Sequence, residues 1–277
     1  MVEINLTRIY ELVVVLYAIS VLLYFIDFLL NNRKANRTAF WLLAIVWVLQ
    51  TFFLLFRMIE TGRFPILTIF EGIYFYAWVL ITLSLLINRF LRVDFLVFFT
   101  NVIGFFVMAL HTFVPMQDYS TVQGERLVSE LLIFHITMAI LSYGAFSISF
   151  VFSSLYVLQY HLLKKKKWGK RLIRLGDLSR LDYLSYLLNV VALPLLLLSL
   201  LLGVMWAYMK LDHFHWYDVK VLGSFLVLIV YSVYLYVRIS RGQQGKSMAF
   251  WNMASFLILL INFFLFGSLS NFHFWNS

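Results

Sequence analysis

The chain has 277 residues, 63% of them hydrophobic and only 13% charged. A soluble domain carries roughly twice that charge, so no soluble domain of ordinary size fits. With no cysteine, disulfides, thiolate metal sites and a nucleophilic thiol are excluded, and a net charge of +9 suits basic residues held on the cytoplasmic side of a membrane better than nucleic-acid binding.

The N-terminal stretch "MVEINLTRIYELVVVLYAIS" has Glu3 and Glu11 before or within its apolar run and no small-residue cleavage site after it. It reads as a retained first helix, not a cleaved signal peptide. Apolar spans are expected at 9–30, 39–58, 66–87, 95–114, 128–160, 184–205, 219–239 and 248–270. All but the fifth are close to the ~20 residues that cross a ~30 Å hydrocarbon core. The fifth is longer and is expected to project beyond the bilayer. Backbone polar groups in lipid must be satisfied within their own segment, so the spans are helices. The expected fold is an all-α integral membrane protein of about eight transmembrane helices, a single polytopic domain over 1–277 in the plasma membrane.

Orientation follows from lysine and arginine. The first, third, fifth and seventh connections ("NNRKANR", "NRFLRVD", "HLLKKKKWGKRLIRLGDLSRLD", "RISRGQQGK") hold 16 of the 22 basic residues. That asymmetry assigns them to the cytoplasm and puts both termini, the stretch 206–218 and the tail "NFHFWNS" outside. The fifth connection carries Lys164 to Lys167, Lys170, Arg171, Arg174 and Arg180, with Leu172, Ile173, Leu175, Leu178 and Leu181 as an apolar face. It reads as an anchor on anionic lipid, or as a docking surface for a cytoplasmic protein. The glycines of "RGQQGK" have neither the length nor the strand context of a phosphate loop.

Four features could carry chemistry. Glu71, in "RFPILTIFEGIYFYAW", lies inside the third span, where a carboxylate must be paired or face a polar cavity. Arg57, Arg63 and Lys210 are expected on its side, so a structural ion pair competes with a ligand-facing role. His135, in "LLIFHITMAILSYGAF", lies near the outer end of the fifth span, with Tyr143 two turns on along the same face. An isolated histidine there is ordinarily a hydrogen-bonded interior residue. His273 sits among Phe272, Phe274 and Trp275, a setting that also suits an interfacial aromatic belt. His135 and His273 share the outer surface, and two imidazoles converging there suit a haem iron. The fourth feature is "WAYMKLDHFHWYDVK", Trp206 to Lys220. Its aromatic residues suit membrane anchoring or a flat tetrapyrrole. His213 and His215, one residue apart, are too few ligands for a metal site by themselves.

"GVMWAYMKLDHFHWYDVK" resembles the tryptophan-rich WWD segment of the CcmC, CcmF and CcsA haem-handling family, G-x-x-W-A-x-x-x-W-G-x-x-W-x-W-D-P-K. Gly203, Trp206, Ala207, Asp218 and Lys220 keep the frame, whereas Leu211, Asp212, His215, Tyr217 and Val219 replace family Trp, Gly, Trp, Trp and Pro. "FPILTIFEGIYFYAW" is similar to the family's early P-x-x-x-x-x-E-x-x-x-F-x-x-W segment. "FHITMAILSYGAF" resembles its H-x-x-x-x-x-x-x-Y helix, and "SNFHFW" its final histidine segment. The resemblance implies haem b as cofactor, His135 and His273 as outer-face ligands, and Trp206, Trp216, Tyr217 and Asp218 as haem contacts, with Glu71 and Lys220 as further motif residues. At "YLYVRISRGQQGK" the match breaks: cytochrome c assembly members carry a membrane-buried histidine where this chain has Tyr236.

A single eight-helix domain with an eroded WWD segment looks like the CcsA-like membrane proteins of Gram-positive bacteria encoded near haem-biosynthesis enzymes. That implies a negative effector of glutamyl-tRNA reductase abundance, acting on the reductase or on a protease that degrades it. Lost tryptophans shrink a porphyrin-stacking surface, and a lost buried histidine removes the ligand of a second, deeper site. A carrier needs both; a sensor needs one site whose occupancy changes helix packing. The expected function is therefore haem-sensing regulation without catalysis. The alternative is a haem transporter or chaperone in cytochrome c assembly. A membrane enzyme using Asp212, His213, His215 and Asp218 is the weakest reading, because no nucleophile has an assigned base.

Overall fold

The computed structural model describes residues 2–91, 95–112, 129–166, 174, 175, 177–210 and 216–266. They form eight α-helices: α1 (Val2–Leu30), α2 (Arg33–Thr61), α3 (Ile69–Leu91), α4 (Leu96–Thr112), α5 (Glu130–Lys164), α6 (Leu178–Lys210), α7 (Val219–Ser240) and α8 (Lys246–Ile261). A π-helical turn, Asn262–Phe266, continues α8. Among the described residues there is no strand. Seven helices are long and apolar enough to cross a membrane, and α4 is shorter. Each expected span coincides with one helix. One boundary difference matters for the basic connection: α6 begins at Leu178, so Arg180 and Leu181 belong to a membrane helix and not to the connection before it.

Local chemistry sets several helix starts. Asn32 caps α2 by accepting from the Lys34 and Ala35 amides at 3.0 and 3.3 Å, and Ser129 caps α5 by accepting from the Leu132 amide. Gly62 ends α2 in the left-handed conformation (φ 64°) that glycine adopts without strain.

The contacts divide the chain into two compact units, Met1–Gln117 with Trp168–Gly176, and Asp118–Lys167 with Asp177–Ser277. In the first, α1 to α4 bury Tyr10, Tyr17, Leu43, Tyr74 and Met108. Several polar atoms among them pair internally, as an apolar medium favours. The Tyr17 hydroxyl donates to Asn101 Oδ1 (2.8 Å), and Asn101 Nδ2 donates to Ser84 Oγ (3.0 Å). Arg174 also belongs to this unit. Its guanidinium donates to both Asp27 oxygens (3.0 and 2.8 Å) and to Asn31 Oδ1 (2.7 Å), and lies 4.5 Å from the Phe95 ring centre. The two side chains are 6% and 1% exposed. This corrects the expectation for the basic connection, since Arg174 is withdrawn from lipid headgroups and from any docking partner. Lys164, Lys165, Lys166 and Arg180 are exposed.

In the second unit, α5 and α6 face each other with small residues, including Ser142, Ser149, Ser153, Ser185, Ala192 and Ser199, which permit close approach in lipid. Asn252 of α8 places Nδ2 within 2.9, 2.8 and 3.1 Å of the Ser149, Ser153 and Ser185 hydroxyls, and its Oδ1 accepts from Asn189 (3.0 Å). Arg238 of α7 holds both Asp182 oxygens at 3.0 and 2.6 Å.

Candidate functional site

His135 lies in the second turn of α5, against α6. Its Nδ1 stands 2.6 Å from the Ser199 carbonyl, and the Ser199 hydroxyl donates back to the His135 carbonyl at 2.9 Å. A carbonyl oxygen has no proton to give, so Nδ1 is the donor. The neutral ring therefore carries its proton on Nδ1 and its lone pair on Nε2. Among the described residues nothing hydrogen-bonds Nε2. A metal-binding histidine has this arrangement, with the second nitrogen fixed by a carbonyl. One turn beyond Ser199, Gly203 gives the ring its room, because a Cβ there would stand 2.6 Å from ring atoms.

Tyr143, eight residues along α5, is buried and packs edge-on against Phe263, ring centres 5.7 Å apart. Its hydroxyl lies 3.5 Å from Asn262 Nδ2. The Lys220 ammonium donates to the Asn262 carbonyl at 2.7 Å and lies 5.7 Å from the Phe263 ring centre. The start of α7, the π-turn and the face of α5 that carries His135 and Tyr143 thus form one cluster.

The aromatic residues do not share one surface. Trp206 is 5% exposed, whereas Trp216 and Tyr217 are 56% and 73% exposed. Asp218 caps α7, accepting from the Lys220 amide at 2.8 Å. Glu71 is elsewhere, in the first unit, and is saturated. Arg63 donates to both its oxygens (3.0 and 3.3 Å), and the Leu67 and Thr68 amides donate to Oε2. Thr68 Oγ1 accepts from the Glu71 amide (3.0 Å), which completes a capping box for α3. Of the three cations expected near Glu71, Arg63 is the partner; Arg57 pairs with Glu60. His273 and the stretch Asp212, His213, His215 lie outside the described residues. Among those described, no group of three or more His, Asp or Glu could hold a metal ion.

The profile described as cytochrome C assembly protein matches residues 66–273, three quarters of the chain. The chain belongs to the cytochrome c assembly protein family. It is 62% identical to Protein HemX of Bacillus subtilis (strain 168) over 273 residues, 99% of either chain. Protein HemX of Brevibacillus brevis is 47% identical over 267 residues, 96% of this chain and 97% of the relative. Cytochrome c biogenesis protein CcsA of Prochlorococcus marinus (strain MIT 9301) is 28% identical over 255 residues, 83% of this chain and 81% of the relative. It is thus a HemX- and CcsA-like, multi-pass plasma-membrane protein, which fits the expected Gram-positive source.

The family frame now has physical reasons. Gly203 clears the imidazole, Asp218 starts a helix, and Lys220 fastens that helix to the π-turn. At the break in the family pattern, Tyr236 is 62% exposed on the outside of α7, while Tyr231 and Tyr234 face inward. Sequence reasoning missed Ser199 and Asn262. The available signals were a serine four residues before the frame glycine and an amide within the apolar run "LILLINFFLF".

Proposed function

We propose that this protein is a haem-sensing, non-catalytic regulator of tetrapyrrole biosynthesis that lowers the level of glutamyl-tRNA reductase, directly or through a protease. The observation that carries the reading is the His135 ring, fixed by the Ser199 carbonyl with Nε2 left for a metal. His135 and His273 would ligate the iron of haem b, and the exposed rings of Trp216 and Tyr217 would take the porphyrin face. Haem held by these residues would supply an iron centre, and occupancy of the site would favour one packing state. Membrane lipid is the surrounding partner, and Lys164 to Lys166 offer the cytoplasmic side a basic surface.

The test is an absorption spectrum of the purified protein with and without added haem, for the wild type and for His135→Ala with His273→Ala. A sharp bis-imidazole spectrum that disappears in the double variant is expected. A wild type that takes up no haem sinks the sensing model. A second reading, haem handling in cytochrome c assembly, is favoured by the family match and by relatives named cytochrome c biogenesis proteins. Deleting the gene separates the two. More reductase with normal cytochrome c supports regulation, and loss of covalent cytochrome c with unchanged reductase supports assembly.

A further inference from the structure

Positive charge gathers in the second unit where α5 and α7 end and α8 begins, the end that the basic connections assign to the cytoplasm. The Gly245 amide donates to Asp182 Oδ1 at 3.2 Å, and a Cβ at Gly245 would stand 3.1 Å from the Tyr156 hydroxyl. The turn between α7 and α8 is therefore level with Tyr156 on α5 and Asp182 on α6. Beyond that level α5 continues for two more turns, to Lys164, a rise of about 12 Å. The charge here is one-sided. Asp182 is taken by Arg238 and by the Gly245 amide. Among the described residues, Lys164, Lys165, Lys166, Arg241 and Lys246 are exposed and have no carboxylate within ion-pair distance. Asp177, exposed at the start of α6, is the remaining described acid of this end.

Lys246 is the cation that the fold holds in place. Its ammonium lies 5.4 Å from the Tyr160 ring centre and 5.6 Å from that of Phe250. Tyr160 stacks in turn on Tyr156, ring centres 6.5 Å apart at 15°. Lys164 is one turn beyond Tyr160 on the same face of α5. Two cations, one from each helix, thus flank one tyrosine ring. Phe250 lies one turn further into α8 than Lys246 and is 45% exposed. Ring contacts orient an ammonium without cancelling its charge. The surface therefore offers positive charge at the helix ends and an exposed ring one turn deeper. A soluble acidic protein would answer only the first. A ligand that answers both has an anionic head on an apolar body. We propose that Lys246 and Lys164 hold the phosphodiester headgroup of an anionic phospholipid of the cytoplasmic leaflet, with an acyl chain along Phe250. The lipid supplies the negative charge that the fold does not, and it joins the end of α5 to the start of α8. The proposal is independent of the haem reading.

The experiment titrates the full chain in detergent with phosphatidylglycerol or phosphatidylcholine of matched acyl chains and reads the binding constant of the first lipid by native mass spectrometry. The wild type should prefer phosphatidylglycerol. Lys246→Met should weaken that first binding by about fivefold, the value of one lysine near an anionic headgroup, and leave phosphatidylcholine unchanged. Lys246→Arg should restore it. Lys166→Met removes the same charge from the tip beyond α5 and should leave the first binding constant as it is. A thermal melt of each variant separates loss of the charge from loss of the fold. Equal binding of the two lipids by the wild type overturns the proposal, as does a phosphatidylglycerol preference that survives Lys246→Met. An equal loss in Lys166→Met overturns it too, because diffuse charge and not a site would then hold the lipid. A poly-glutamate peptide that binds the wild type more tightly than phosphatidylglycerol does, and depends on Lys246, would give this face to an acidic soluble partner instead.

Discussion

Glu71 and Lys220 look alike in sequence, each a charge set among apolar residues and each in a family motif. The structure treats them in opposite ways. Glu71 accepts from a guanidinium and two amides, so its carboxylate is saturated inside the first unit. The Lys220 ammonium donates to the Asn262 carbonyl, and among the described residues neither His135 Nε2 nor Asn262 Oδ1 has a hydrogen-bond partner. A buried charge is therefore a poor sign of function by itself. The useful sign is bonding capacity left over after the fold has taken its share.

The sharpest way to break this contrast is at the closed side. Asp27→Ala leaves the Arg174 guanidinium buried without its carboxylate, which should cost about 3–5 kcal/mol and lower the thermal midpoint in detergent. Adding Arg174→Met should recover most of the loss. An unchanged melt for Asp27→Ala would show that closed pairs in this protein are not structural. At the open side, Gly203→Ala forces a methyl group against the His135 ring, with about 1–3 kcal/mol of overpacking. Haem binding should weaken by about tenfold. Identical affinity and an identical spectrum would mean that the ring position seen here is not the one that meets ligand. The smallest effect belongs to Glu71→Gln. The amide oxygen keeps the α3 cap, and Arg63 is exposed enough to turn to water, so the expected loss is about 1 kcal/mol. The haem spectrum should not move; a shifted spectrum would put Glu71 back in the site.

Much of the architecture was legible because the solvent is so restrictive. Apolar runs of membrane length have one economical conformation, and all eight expected spans are helices. The frame "GVMWAYMKLDHFHWYDVK" pointed to the family, and the segment "FHITMAILSYGAF" singled out His135. The pairings were not legible. Arg174 reads as one more basic residue among eight, and its partner Asp27 lies 147 positions away. The Asn252 network joins residues from α5, α6 and α8 with no periodic mark in any of them. Nor does the sequence show that Tyr236 lies exposed on the outside of α7.

The sequence by itself determined the class of the molecule and the number and placement of its helices, and it nominated the residues proposed to bind haem. These depend on local length, hydropathy and residue type, which act within one segment. Only the tertiary structure decided which polar groups are closed and which remain open. Closure depends on angles and distances between helices far apart in the chain. A hydrogen bond is satisfied within a few tenths of an ångström or left unmade, and no one-dimensional pattern records which.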